Sequence, residues 1–129
     1  MAHSHAVVWM DSKEAHTFCF NATEVEASRT RADLPFGKIH HRAGVIGSGH
    51  QTHDVKYFKS IADSLAGVRE WLLTGPGEAK LSFCQYLKEH FPALERTMVA
   101  VETTDHPTDR QVVAYARQHF KAIDRMRAL

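Results

Sequence analysis

The first apolar run along the chain, Ala6-Val-Val-Trp-Met10, is short and ends in the polar turn Asp11-Ser-Lys-Glu14. His16-Thr-Phe-Cys-Phe20 follows with β-branched and aromatic residues, and Glu24-Val-Glu-Ala-Ser-Arg-Thr-Arg31 alternates charged with smaller ones. The pattern predicts three consecutive strands in an antiparallel meander. An apolar strand belongs inside a sheet, whereas charges guard an edge against stray pairing, so the third strand is placed at the edge.

From Ala32 to Asp54 the periodicity disappears, and the stretch holds Pro35 together with Gly37, Gly44, Gly47 and Gly49. Its length and glycine content predict a long mobile loop over residues 32–53. Asp54 then reads as a helix cap, and Val55, Phe58, Ile61, Ala62 and Leu65 recur at helical spacing until Gly67. Glu70-Trp-Leu-Leu-Thr74 predicts a buried strand and Gly75-Pro-Gly77 a sharp turn. Leu81, Cys84, Leu87 and Phe91 form the stripe of a second helix, closed by Pro92, and Thr97–Thr103 reads as a fifth strand. Asp105-His-Pro-Thr-Asp109 caps a last helix whose inner face is Val112, Ala116, Phe120 and Ile123. The order β-β-β-α-β-α-β-α predicts an α/β fold. Its five-stranded sheet is mixed and carries three helices, the alternation of the second half implies parallel pairing with right-handed crossovers, and the arrangement is ribonuclease-H-like.

A chain of 129 residues, 43% hydrophobic and 24% charged, is the size and composition of one globular domain. No apolar run approaches the roughly 20 residues of a membrane-spanning helix, and the start, Met1-Ala-His-Ser-His5, lacks a signal-peptide pattern. A cytoplasmic protein is expected. The formal charge of +1 names no partner, but ten histidines are unusual, and His40, His41, His50 and His53 share one short window. Cys19 and Cys84 sit in apolar stretches and read as small buried hydrophobes.

That window also carries Lys38 and Arg42 against only Asp33 and Asp54, so its formal charge is positive, with Arg29 and Arg31 just before it. Within it, Gly47-Ser-Gly-His-Gln51 combines two permissive glycines with the polar tip His50-Gln51. No cysteine stands near the histidines, so neither a metal nor any other cofactor is expected. Lysine and arginine bind phosphates by charge, and imidazoles hydrogen-bond to or stack on bases. Polyanion contact through Lys38, His40, His41, Arg42, Gly47, Gly49, His50 and His53 is therefore the reading the loop favours. Gly47-Ser-Gly is not the serine-hydrolase elbow. Asp11, Glu70, Asp105 and Asp109 fall near predicted strand ends, where a two-metal nuclease site would need them, although turn and cap chemistry accounts for them more simply. His3 and His5 are expected to be solvated.

Taken in order, these pieces resemble a protein family. Val7-Val-Trp-Met-Asp11, Ala15-His-Thr-Phe-Cys-Phe20, the basic glycine loop with its helix, and Leu72-Leu-Thr-Gly-Pro-Gly-Glu-Ala-Lys80 are similar to the middle domain of archaeal and eukaryotic class I release factors. Pelota shares that domain, and bacteria carry relatives that include short single-domain chains called translational machinery proteins. The resemblance runs from about Ala6 to Phe120 and includes Val101-Glu-Thr-Thr-Asp-His-Pro107. It implies a factor for release, rescue or idling that meets the ribosome through ribosomal RNA or tRNA, built here from a middle domain alone over residues 1–129. In the family the loop ends in Gly-Gly-Gln, whose glutamine helps place the water that cleaves peptidyl-tRNA. Gln51 matches that glutamine and Gly49 one of the glycines, while His50 stands between them. Pelota lacks the glutamine motif and hydrolyses nothing there, so the resemblance is compatible with binding alone. Two alternatives remain open at this stage. One is a hydrolase, acting on peptidyl-tRNA through Gln51 or on a phosphodiester through Asp11 and a metal; the other is a protein-binding scaffold.

Overall fold

The computed structural model describes residues 4–32 and 46–128, and the side chains of residues 4–32 and 55–122. Among the described residues, five strands and four helices follow one another as β1 (His5–Met10), β2 (Glu14–Phe20), β3 (Val25–Arg31), α1 (Ile46–Ser64), β4 (Glu70–Gly75), α2 (Ala79–His90), α3 (Pro92–Thr97), β5 (Met98–Thr103) and α4 (Asp109–Ala128). The strands form one sheet in the order β3-β2-β1-β4-β5. β1 pairs antiparallel with β2, and β2 with β3, whereas β1–β4 and β4–β5 are parallel. The expected mixed sheet, with its meander and its charged edge strand, is the one found.

β1 lies at the centre, and Ala6 to Met10 are all buried. Successive side chains of a strand point to opposite faces, so this run feeds two cores. Ala6, Val8 and Met10 pack with Phe58, Ile61 and Leu65 of α1 and Phe83 and Leu87 of α2. Val7 and Trp9 pack with Phe18, Phe20 and Leu72 beneath Val112, Ala116 and Phe120 of α4. A strand covered on both faces has no polar position to alternate, which is why the sequence reads there as an unbroken apolar run. Each face holds one tryptophan with its indole N–H donated to a backbone carbonyl. Trp71 reaches Leu94 O at 3.0 Å, and Trp9 reaches Asp105 O at 2.9 Å. Both rings are thereby buried without leaving a donor unpaired.

The helices differ from expectation in three places. α1 begins at Ile46, not after Asp54, so part of the stretch read as loop is helical backbone. Its buried stripe is Tyr57, Phe58, Ile61, Ala62 and Leu65, with Val55 45% exposed. Tyr57 displaces Val55 because its hydroxyl donates to Asp11 O at 2.8 Å, tying the helix to the β1–β2 turn. In α2 the buried residues are Lys80, Phe83, Tyr86 and Leu87, while Leu81 is 55% exposed. Lys80 buries its methylene stem and donates from Nζ to Gly77 O at 2.6 Å, so a charged residue occupies a core position. Pro92 ends α2 but opens the short helix α3 at its first position, where its missing N–H costs nothing.

The β4–α2 turn is set by contact with β1. Gly75 has φ +144° and Gly77 φ +65°, both in the region glycine favours. A Cβ on Gly75 would overlap the carbonyl oxygen of Met10. α4 starts with a reciprocal cap. Thr108 N donates to Gln111 Oε1 at 2.8 Å, and Gln111 N donates to Thr108 Oγ1 at 3.2 Å.

Candidate functional site

Ala32, the last described residue before the basic segment, donates from its backbone N to Lys13 O at 2.8 Å. The segment therefore leaves the sheet beside the β1–β2 turn. Lys38, His40, His41 and Arg42 lie outside the described residues. Gly47, Gly49, His50, Gln51 and His53 fall in the opening turns of α1, and only their backbone is described. The Gly47-Ser-Gly-His-Gln51 motif thus belongs to helical backbone and not to the tip of a loop. Gly47 and Gln51 stand about one turn apart, since a turn takes roughly 3.6 residues.

The rest of α1 is fixed to the sheet. Besides the Tyr57 bond, Ser64 Oγ donates to Thr17 Oγ1 at 3.1 Å and to Ile61 O at 2.6 Å, and Cys19 Sγ contacts Ser64 O at 3.6 Å. The first turn of α1 contains no acidic residue. Its N-terminal N–H groups and the positive end of its dipole are therefore not offset by local carboxylates. Such an end attracts anions.

The carboxylates considered for metal chemistry are spent elsewhere. Asp11 Oδ1 accepts from the backbone N of Lys13 at 2.8 Å and of Glu14 at 2.9 Å, which shapes the β1–β2 turn. Glu70 starts β4 opposite His5, so it lies at the other end of the sheet from Asp11. Asp109 sits in the first turn of α4 with its Oδ1 3.0 Å from His16 Nδ1, and the Asp105 side chain is almost fully exposed. Among the described residues no group of three histidine, cysteine or acidic side chains could hold a metal ion. Both cysteines are free thiols. Burial, with a nearby acid adding to it, raises the thiols of Cys19 (beside Glu26) and Cys84 (beside Glu95) above the ordinary cysteine value. Both are half-buried, and a raised thiol carries less of the reactive thiolate.

His5 is not solvated as expected. It is half-buried, its ring lies 4.4 Å from that of Phe120, and its Nε2 is 3.5 Å from Glu70 Oε1. A second cluster escaped the sequence altogether. Trp9, His16, His106 and Asp109 converge between β1, β2 and the start of α4, with the Trp9 ring 5.7 Å from His16 and 5.1 Å from His106. Residues about a hundred positions apart leave no local pattern, so no spacing signal announced them.

No family model and no curated protein sequence matches the chain. Solved structures do. Pelota from Archaeoglobus fulgidus superposes with a TM-score of 0.61 at 16% identity, over 88% of this chain and 30% of that one. The archaeal translation termination factor aRF1 gives 0.60 at 12% identity, over 96% of this chain and 40% of that one. This chain shares its fold with Pelota and with an archaeal release factor. A chain from a model of ribosome-bound archaeal Pelota and ABCE1 gives 0.60 at 24% identity, over 94% of this chain and 33% of its own length. The chain thus spans only a third or so of the proteins it superposes on. The release-factor and Pelota resemblance carried by the sequence motifs is met by the fold.

Proposed function

We propose that this chain is a ribosome-directed translation factor of the release, rescue or idling kind. The observation that carries the reading is the fold, shared over nearly the whole chain with Pelota and an archaeal release factor. In this reading the segment entering α1 meets ribosomal RNA or tRNA in the cytoplasm. Lys38 and Arg42 supply charge to phosphates, His40, His41, His50 and His53 supply hydrogen bonds and stacking faces, and Gly47 and Gly49 let the backbone come close. The acid-free first turn of α1 adds a favourable field for the same anion. Contact, not cleavage, is the role assigned to the segment. By the sequence resemblance Gln51 aligns with the family's catalytic glutamine, but His50 stands between it and Gly49. Asp11, the residue named for the phosphodiester alternative, has its Oδ1 engaged in the β1–β2 turn.

Pelleting with ribosomes tests the reading. The wild-type chain is expected to co-sediment, and binding is expected to weaken steeply as salt rises, because each phosphate contact releases counterions. Replacing Lys38, Arg42, His50 and His53 together by alanine is expected to abolish pelleting with the fold intact. Undiminished pelleting of that variant would overturn the proposal.

A further inference from the structure

In open α/β sheets, ligands settle beyond the carboxyl ends of the strands, where neighbouring connections depart to opposite sides. Here that point falls between β1 and β4, since β1 leads outward to β2 and β4 to β5. Beside the end of β1, on the α4 face, a cavity of about 110 Å³ is lined by Trp9, Glu14, His16, His106 and Asp109, among others. One water occupies roughly 30 Å³ in the liquid, so the space admits a planar group of several heavy atoms.

Its chemistry specifies which group. The Asp109 carboxylate, which only accepts, lies 3.0 Å from His16 Nδ1, so in the neutral ring the proton sits on Nδ1 and Nε2 offers a lone pair. Nε2 is buried, makes no hydrogen bond among the described residues, and faces Glu14 Oε1 across 3.5 Å. Two acceptors pointing at each other repel, and a donor seated between them satisfies both. The Trp9 indole forms a wall held in place by its bond to Asp105 O, and aromatic faces attract cations within about 6 Å. Glu14 and Asp109 make the lining negative, and among the described residues no lysine or arginine contributes to it.

We propose that this cavity binds a guanidinium or primary ammonium group. Its N–H bonds go to His16 Nε2 and Glu14, its charge is balanced by Asp109, and Trp9 and His106 flank it. The group comes either from an arginine side chain of a protein partner or from a free polyamine. Among the described residues, those lining the cavity belong to β1, β2 and the start of α4 with the residues leading into it, and its test is read separately from that of the ribosome reading.

Nuclear magnetic resonance separates the outcomes. The ¹⁵N-labelled chain is titrated with N-acetyl-argininamide, with spermidine, and with N-acetyl-citrullinamide as the neutral counterpart of the first. The indole N–H of Trp9 reports on the cavity, and that of Trp71, bonded to Leu94 O on the opposite face, is the internal control. A saturating shift at Trp9 but not Trp71, at about 1 mM ligand or less, is expected for one or both cations, with none for citrulline. The tighter of the two identifies the source. Glu14→Gln is expected to raise the half-saturation point about tenfold, as loss of a charged hydrogen-bond partner does. A shift that never saturates, that citrulline reproduces, or that Glu14→Gln leaves unchanged overturns the proposal.

Discussion

Gly75 carries the tightest steric constraint in the sheet. Its φ of +144° and the Met10 carbonyl oxygen leave no room for a Cβ, because β1 and β4 pair side by side at the turn that leads into α2. Gly75→Ala is expected to lower stability by about 3 kcal/mol or more, measured as a fall in the urea midpoint, since strain and overlap of backbone act together. A change under 0.5 kcal/mol would contradict that geometry. The cysteines give a second check. With both thiols raised by burial, iodoacetamide at pH 8 is expected to alkylate Cys19 and Cys84 far more slowly in the native chain than in urea. Equal rates would mean the thiols are exposed. Residues of this kind differ in how openly the sequence displays them. Gly75 stands in a plain Gly-Pro-Gly turn, whereas the Trp9, His16 and Asp109 cluster exists only after β1, β2 and α4 have packed.

The strands were legible and the helix edges were not, for a physical reason. A strand buried on both faces, such as β1, needs an unbroken apolar run, and an edge strand such as β3 needs charges, so composition alone distinguishes them. α1 begins in Gly47-Ser-Gly49, residues that disfavour helix by roughly 1 kcal/mol per glycine, so its opening turns carry no propensity signal. The choice of buried face was likewise misjudged where polar atoms decide it. Tyr57 wins its place through a hydrogen bond, and Lys80 through a carbonyl within reach of its ammonium. The start of α4, by contrast, is marked in the sequence by the cap segment Asp105-His-Pro-Thr-Asp109, although the cap itself is the Thr108 and Gln111 pair. Thr108→Ala is expected to cost about 1 kcal/mol of stability. An unchanged urea midpoint would show that the cap is not formed in solution.

The aromatic and acidic cavity opens on the α4 face of the sheet, whereas α1, whose opening turns carry the Gly47-Ser-Gly-His-Gln51 motif, packs on the other face. The motif that drew attention in the sequence falls beyond the described side chains, so the proposal of its partner rests on the family resemblance and the shared fold. A photo-reactive amino acid at Ser48, compared with the same group at the exposed Lys88 of α2, tests that reading most directly. In the presence of purified ribosomes, Ser48 is expected to cross-link to ribosomal RNA or tRNA and Lys88 is not. Cross-links from Lys88 alone, or from neither position to any RNA, would contradict the reading of this chain as a factor that meets the ribosome through the segment entering α1.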